Sequence, residues 1–181
     1  MGASGPHSAG LEIALLGLLR AHPRHAYELH QLLQEGAEPL GMIWRLKQSN
    51  LYALLAKLEE AGYVVSAVEL HGARPPRKML QVTPEGRAAF AHWLLIPVEH
   101  GRDFRLEFLA KLYFATQAGA STVHDLLKLQ RWACERWIAE LHTQLSACDP
   151  ERTFERLIFE FRLTQSEAIL RWLDTCEQTL T

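Results

Sequence analysis

Only three cysteines occur in the 181 residues (Cys134, Cys148 and Cys176), an odd number, widely spaced and without a CxxC pair. That excludes a zinc ribbon and a disulfide framework, and leaves small apolar core residues in a reducing compartment as their expected role. No apolar run approaches the roughly 20 residues that span a bilayer. The opening MGASGPHSAG has no basic stretch leading into an apolar one, so it is not read as a signal peptide. A soluble, cytoplasmic protein with no membrane partner is expected, with residues 1–10 as a disordered leader. Charge of one sign is also missing, since 19 Lys and Arg stand against 21 Asp and Glu. The part before residue 95 carries +1 and the remainder −3, so any nucleic-acid surface must be a local patch.

Catalytic signatures are absent too. There is no HExxH, GxSxG, Walker sequence or GxGxxG, and no Ser/His/Asp arrangement is legible. His22, His25 and His30 lie close in sequence without the carboxylates a metal site would add. No enzyme activity, metal or cofactor is expected.

What is present is helical periodicity. Residues 11–21 (LEIALLGLLRA) are apolar nearly all round, as in a short buried helix, and Pro23 stops it. Residues 24–34 place Ala26, Leu29, Leu32 and Leu33 on one face. A third helix over 49–61 carries Leu51, Leu54, Leu55 and Leu58 at i, i+3, i+4 and i+7. Ser49 is its expected N-cap and Gly62 its C-terminal glycine. The period then shortens. Residues 63–70 (YVVSAVEL) and 78–82 (KMLQV) suit two strands, with HGARPPR between them as a stiff, basic, exposed hairpin tip. Thr83 and Pro84 open a fourth helix, and residues 97–104 form an expected linker. Three further helical patterns cover 105–116, 122–147 and 151–179. Steps of three and four recur at Leu127, Gln130, Cys134, Trp137 and Leu141, and at Phe154, Ile158, Phe161, Gln165, Ala168 and Trp172. Such steps mark the seam of packed antiparallel helices or a coiled coil.

The order helix, helix, helix, hairpin, helix within about 85 residues is the plan of a winged helix-turn-helix. A major groove about 12 Å wide admits one α-helix, and a neighbouring hairpin can reach the backbone or the minor groove. With its leucines inward, the third helix turns Ser49, Ala53 and Ala56 outward, flanked by Tyr52 and Lys57. Small central residues let the axis approach base edges. Gln48 and Asn50 can pair with adenine, while Tyr52 and Lys57 suit phosphate. In the hairpin, His71, Arg74, Arg77 and Lys78 stand without an acidic residue among them, and arginine suits a narrow, electronegative minor groove. The competing view of each feature alone is an ordinary solvated helix face or a soluble loop. Their order favours double-stranded DNA.

Four stretches resemble the PadR-type winged-helix transcriptional regulators: LEIALLGLLRAHPRHAYEL, LKQSNLYALLAKLEEAGYV, GARPPRKMLQVTPEG and FRLEFLAKLYF. The chain departs from that family in having Ala26 for its usual glycine, and Met79–Leu80 where aromatic residues are frequent. The resemblance implies a homodimer whose C-terminal helices hold two reading heads, and a repressor released by a small aromatic or phenolic effector. It carries the DNA contacts to Gln48, Ser49, Asn50, Tyr52 and Lys57 on the helix, and to Arg74, Arg77 and Lys78 on the wing.

The expected fold is therefore mainly α with a small β-hairpin. A winged helix-turn-helix spans 11–96, a linker 97–104, and an antiparallel helical dimerisation domain 105–181. Two heads on a two-fold axis would read a pseudo-palindrome. Tryptophans on helical patterns ordinarily pack into a core or seam; a sharper reading puts Trp93, Tyr113 and Trp132 in an aromatic slot for a flat ligand. Two alternatives stand beside this reading: a winged-helix module that binds another protein, and a small-molecule sensor without direct DNA readout.

Overall fold

A computed structural model describes residues 7–34, 39–69 and 77–180. In chain order the elements are α1 (His7–Arg20), β1 (Arg24–His25), α2 (Ala26–Gln34), α3 (Leu40–Ile43), α4 (Gln48–Glu60), β2 (Val64–Glu69), β3 (Arg77–Val82) and α5 (Pro84–Leu95). After a 3-10 turn at Gly101–Arg105 come α6 (Glu107–Ala118), α7 (Ala120–Ala147) and α8 (Thr153–Leu180). The fold is mainly α-helical with one small antiparallel sheet, ordered β1-β3-β2, among the described residues. Beyond the expected hairpin, β1 adds a short third strand, with Arg24 opposite Leu80 and His25 opposite Met79. Two residues are too few to leave a periodic signal.

The chain forms two compact units. The first comprises the chain up to Leu94 together with Leu109–Phe114; the second comprises Leu95–Phe108 and the chain from Ala115 onward. Thus α6 contributes its central residues to the first unit.

In the first unit, Leu15, Leu16 and Leu19 of α1, Leu29 and Leu33 of α2, and Leu51 and Leu58 of α4 are all buried. Each such side chain contributes roughly 1.5–3 kcal/mol by leaving water. Two glycines are required by close approach. A Cβ on Gly17 would lie 2.5 Å from the Phe114 ring, and one on Gly86 would lie 2.2 Å from the Tyr63 carbonyl oxygen. Phe114 in turn meets Phe90 edge-on at 5.2 Å. The leader expected over 1–10 is corrected at its end, because helix already runs from His7. Each further residue adds a backbone hydrogen bond once a packed first turn exists.

The second unit is built on α7 and α8. Arg131 of α7 meets Asp174 at 2.6 Å and Glu177 at 3.1 Å on α8, while Arg156 of α8 donates to the Leu145 carbonyl. Later positions on one helix thus meet earlier ones on the other, so the pair is antiparallel. Leu127, Gln130, Cys134, Trp137 and Leu141 of α7 are buried, as their spacing predicts. The stripe expected on α8 is not. The buried residues there are Ser166, Leu173 and Cys176, one position on from Gln165 and Trp172, or about 100° around the helix. Helix α8 carries two stripes, and its partner in the same chain takes the other one.

The 97–104 linker also needs correction, because it is ordered and packed. Val98 and Phe104 are buried, and the Val98 N–H and carbonyl both bond the buried Gln130 amide, at 2.8 and 3.3 Å. The buried amide thereby satisfies both backbone groups. Phe104 stacks on Phe108 at 4.1 Å, and the Trp172 edge meets both rings at about 6 Å.

Candidate nucleic-acid interface

The helix expected to read DNA is fixed from three sides. At its start, the alternation of buried Trp44 and Leu46 with exposed Arg45 and Lys47 lays the preceding segment along the core. Gln34 of α2 donates to the Leu46 carbonyl at 2.6 Å and pins that segment. The Lys47 carbonyl then accepts the Asn50 and Leu51 N–H groups. Ser49 is therefore inside the helix, not its cap: Lys47 holds the extended cap conformation and no side chain closes the turn. At the far end, Gly62 at φ +73° takes the left-handed conformation that its missing Cβ allows. Gly62 N–H donates to the Glu59 carbonyl and Tyr63 N–H to that of Leu58, a Schellman cap.

Thr83 anchors the strands beside α4. Its Oγ1 donates to the Gly62 carbonyl at 2.8 Å and accepts the Gly86 N–H at 3.0 Å, capping α5.

With Leu51, Leu54, Leu55 and Leu58 buried, Gln48, Ser49, Asn50, Tyr52, Ala53, Ala56 and Lys57 are all exposed. Tyr52 remains 47% accessible. Lys57 is engaged already, its Nζ donating to Glu12 Oε1 of α1 at 2.9 Å. A phosphate there would compete with that carboxylate. Arg45 and Lys47 are exposed cations at the N-terminal end of α4 that the motif-by-motif reading left out. Their signal was the same alternation that buries Trp44 and Leu46.

In the wing, His71 and Arg74 lie outside the described residues. Arg77 opens β3 opposite Glu69, and its side chain too is outside the described set. Lys78 is exposed, and its carbonyl accepts from His25 Nδ1 at 3.0 Å, tying β1 to the wing strand.

The three aromatic residues proposed for a ligand slot have different surroundings. Trp93 is buried in the first unit, 5.7 Å from Phe90, with the Nζ of fully buried Lys111 5.1 Å from its ring. Tyr113, also in the first unit, meets Phe114 edge-on at 5.0 Å. Trp132 belongs to the second unit, is 59% exposed and carries the Arg136 guanidinium 5.1 Å from its ring. Among the described residues no cluster of His, Cys, Asp and Glu could hold a metal, and no helix is long and apolar enough to cross a membrane.

Comparison with known proteins gives a consistent result. Residues 15–92 match the transcriptional regulator PadR-like family, and residues 104–181 match the virulence activator alpha C-terminal family. The negative transcriptional regulator PadR of Bacillus subtilis is 26% identical over 174 residues, spanning 91% of this chain and 94% of that one. A probable transcriptional regulator of Mycobacterium tuberculosis is 25% identical over 123 residues, 68% of this chain and 60% of that one. The crystal structure of Bacillus subtilis PadR in complex with operator DNA is similar at 23% identity, covering 94% of this chain and 99% of that one with a TM-score of 0.43. The two family matches occupy the two halves in the order the residues suggested: the chain carries a PadR-like transcriptional regulator domain over residues 15–92, followed by a virulence activator alpha C-terminal domain.

Proposed function

We propose that the protein is a homodimeric repressor that reads a pseudo-palindromic operator with α4 and steadies it with the wing. The observation that carries this reading is the outer face of α4: amides and small residues at its start and centre, with the leucines buried behind them. Gln48, Ser49 and Asn50 meet base edges, Tyr52 and Lys57 the backbone, and Arg74, Arg77 and Lys78, with His71, the adjoining groove. The relative in Bacillus subtilis is described as a negative regulator, which supports repression.

Dimerisation is supported by the outer stripe of α8. Phe154 and Phe161 are 75% and 68% exposed, with Leu157 and Ile158 between them also exposed. These four fall at i, i+3, i+4 and i+7, an apolar seam left exposed among the described residues. The resemblance to the family supplies the last element, release by a small aromatic or phenolic effector.

An electrophoretic shift with promoter fragments at two salt concentrations tests the DNA reading. Binding should weaken steeply with salt, because each phosphate contact releases counterions. Tyr52→Ala, Arg74→Ala and Arg77→Ala combined should abolish the shift while thermal stability stays near that of the parent. Retained binding by the triple variant would overturn the assigned surface. A shift seen only with a protein partner would favour the interaction-module alternative.

A further inference from the structure

Helix α4 and the segment leading into it carry the cations Arg45, Lys47 and Lys57, and no acidic residue lies between the first and the last. Among the described residues, Arg45 and Lys47 are exposed and make no ion pair. Lys57 differs. Its Nζ donates to Glu12 Oε1 of α1 at 2.9 Å, although 45 positions separate the two in the chain. The pair is unequally covered, the Lys57 side chain being 43% accessible and that of Glu12 only 19%. Among the described residues Lys57 is the one cation that meets this carboxylate.

Lys57 stands one turn after Ala53 and on the same outward side of the helix. A helical side chain leans back over the turn that precedes its own Cα. Unengaged, Lys57 would therefore lie over Ala53, where a small side chain leaves room on the face assigned to DNA. Glu12 holds the ammonium toward α1 instead. Contact with a phosphate at this position is thus an exchange. The ammonium trades one oxyanion for another, and the largely covered Glu12 carboxylate loses the cation that offsets its desolvation. No such exchange is needed at Arg45 or Lys47.

We propose that Glu12 limits the affinity for DNA without touching it, by restraining Lys57 until a backbone phosphate displaces the carboxylate. Glu12 is then a positioning residue that acts through Lys57, and its removal tightens binding. Pairs as exposed as this one hold their cation by a factor of up to about five, which bounds the effect. The inference rests on the DNA reading of α4 and adds to it an acidic residue on a different helix.

A double-mutant cycle on the full chain tests the proposal, read by fluorescence anisotropy of a labelled promoter fragment at one low salt concentration. Glu12→Gln should bind the fragment roughly two- to fivefold more tightly than the parent, with helicity unchanged. Glu12→Ala should give the same gain, and carries the test if the glutamine variant does not fold. Lys57→Gln should weaken Glu12→Gln more than it weakens the parent, by that same factor. In a chain that already holds Lys57→Gln, Glu12→Gln should leave affinity unchanged. This last arm separates the release of Lys57 from the mere removal of a negative charge near DNA. Unchanged or weaker binding by the folded Glu12 variants would overturn the proposal, and so would an equal gain with and without Lys57. Either result, with the parent still binding, keeps the DNA reading and removes only the role of Glu12. Failure of the parent and of Glu12→Gln to bind any promoter fragment would remove the DNA reading, and the proposal with it.

Discussion

The two compact units solve the problem of burying leucine and aromatic side chains in opposite ways. In the first, the α1, α2 and α4 leucines close on one another, and the outward face of α4 is left with amides, small residues, a tyrosine and a lysine. In the second, a narrow seam joins α7 to α8, and a stripe from Phe154 to Phe161 faces outward. A surface that reads a polar polymer must be small and polar at its centre. A surface that holds a second copy of the chain must stay apolar. Under the proposed function the contrast is one of purpose, written in which residues each unit leaves unburied.

The comparison can be broken first at the outer stripe. Leu157→Glu with Phe161→Glu places four like charges in a two-fold contact. The dimer should be lost at micromolar concentration with helicity retained, and operator affinity should fall at least a hundredfold. Sedimentation and the promoter shift measure the two effects, and a dimer that survives would mean the stripe is not the seam.

The core of the first unit should be the next most sensitive. Gly86→Ala forces a methyl into the Tyr63 carbonyl oxygen. It should cost about 3 kcal/mol in denaturant unfolding. A cost below about 1 kcal/mol would show that α5 slides freely on the sheet. In the second unit Gln130→Ala should cost about 2 kcal/mol, since the Val98 N–H and carbonyl lose their buried partner. Thr83→Ala removes the α5 cap and should cost about 1 kcal/mol.

The smallest effects concern the thiols. Burial pushes Cys134 and Cys176 up to about 11, the Gln130 amide only partly opposing this at Cys134. A raised thiol favours the fold below the unfolded value near 9 and loses that contribution as pH rises toward 11. Stability of the second unit should therefore decline between pH 9 and 11. At pH 8, a thiol reagent should label half-buried Cys148 ahead of the other two. Equal labelling rates would show that the α7–α8 seam opens readily.

Legibility followed the range of the interaction. The inward face of α4 was readable because its four leucines lie within eight residues, and the Gly62 turn because only glycine enters the left-handed region without strain. The Ser49 cap misread the boundary, since the buried Trp44 and Leu46 set where the chain turns and so started the helix earlier. Lys57 was legible as an outward cation, but its pairing with Glu12, 45 positions away, was not. The 97–104 segment reads as a linker from its Pro, Gly and charge. A glutamine more than twenty residues downstream orders it.

By itself, the sequence determined what repeats over a turn or two: the helices, the hairpin, the glycine and threonine caps, and the leucines of each buried face. These depend on the period of a single element, which neighbouring residues express directly. Only the tertiary structure decided which of the two apolar stripes on α8 faces α7, and that the central turns of α6 join the first unit. It alone also showed Val98 held by a distant amide. Those outcomes depend on the shape and polarity of a partner surface remote in sequence, and a single helix cannot encode which of its faces that partner will meet.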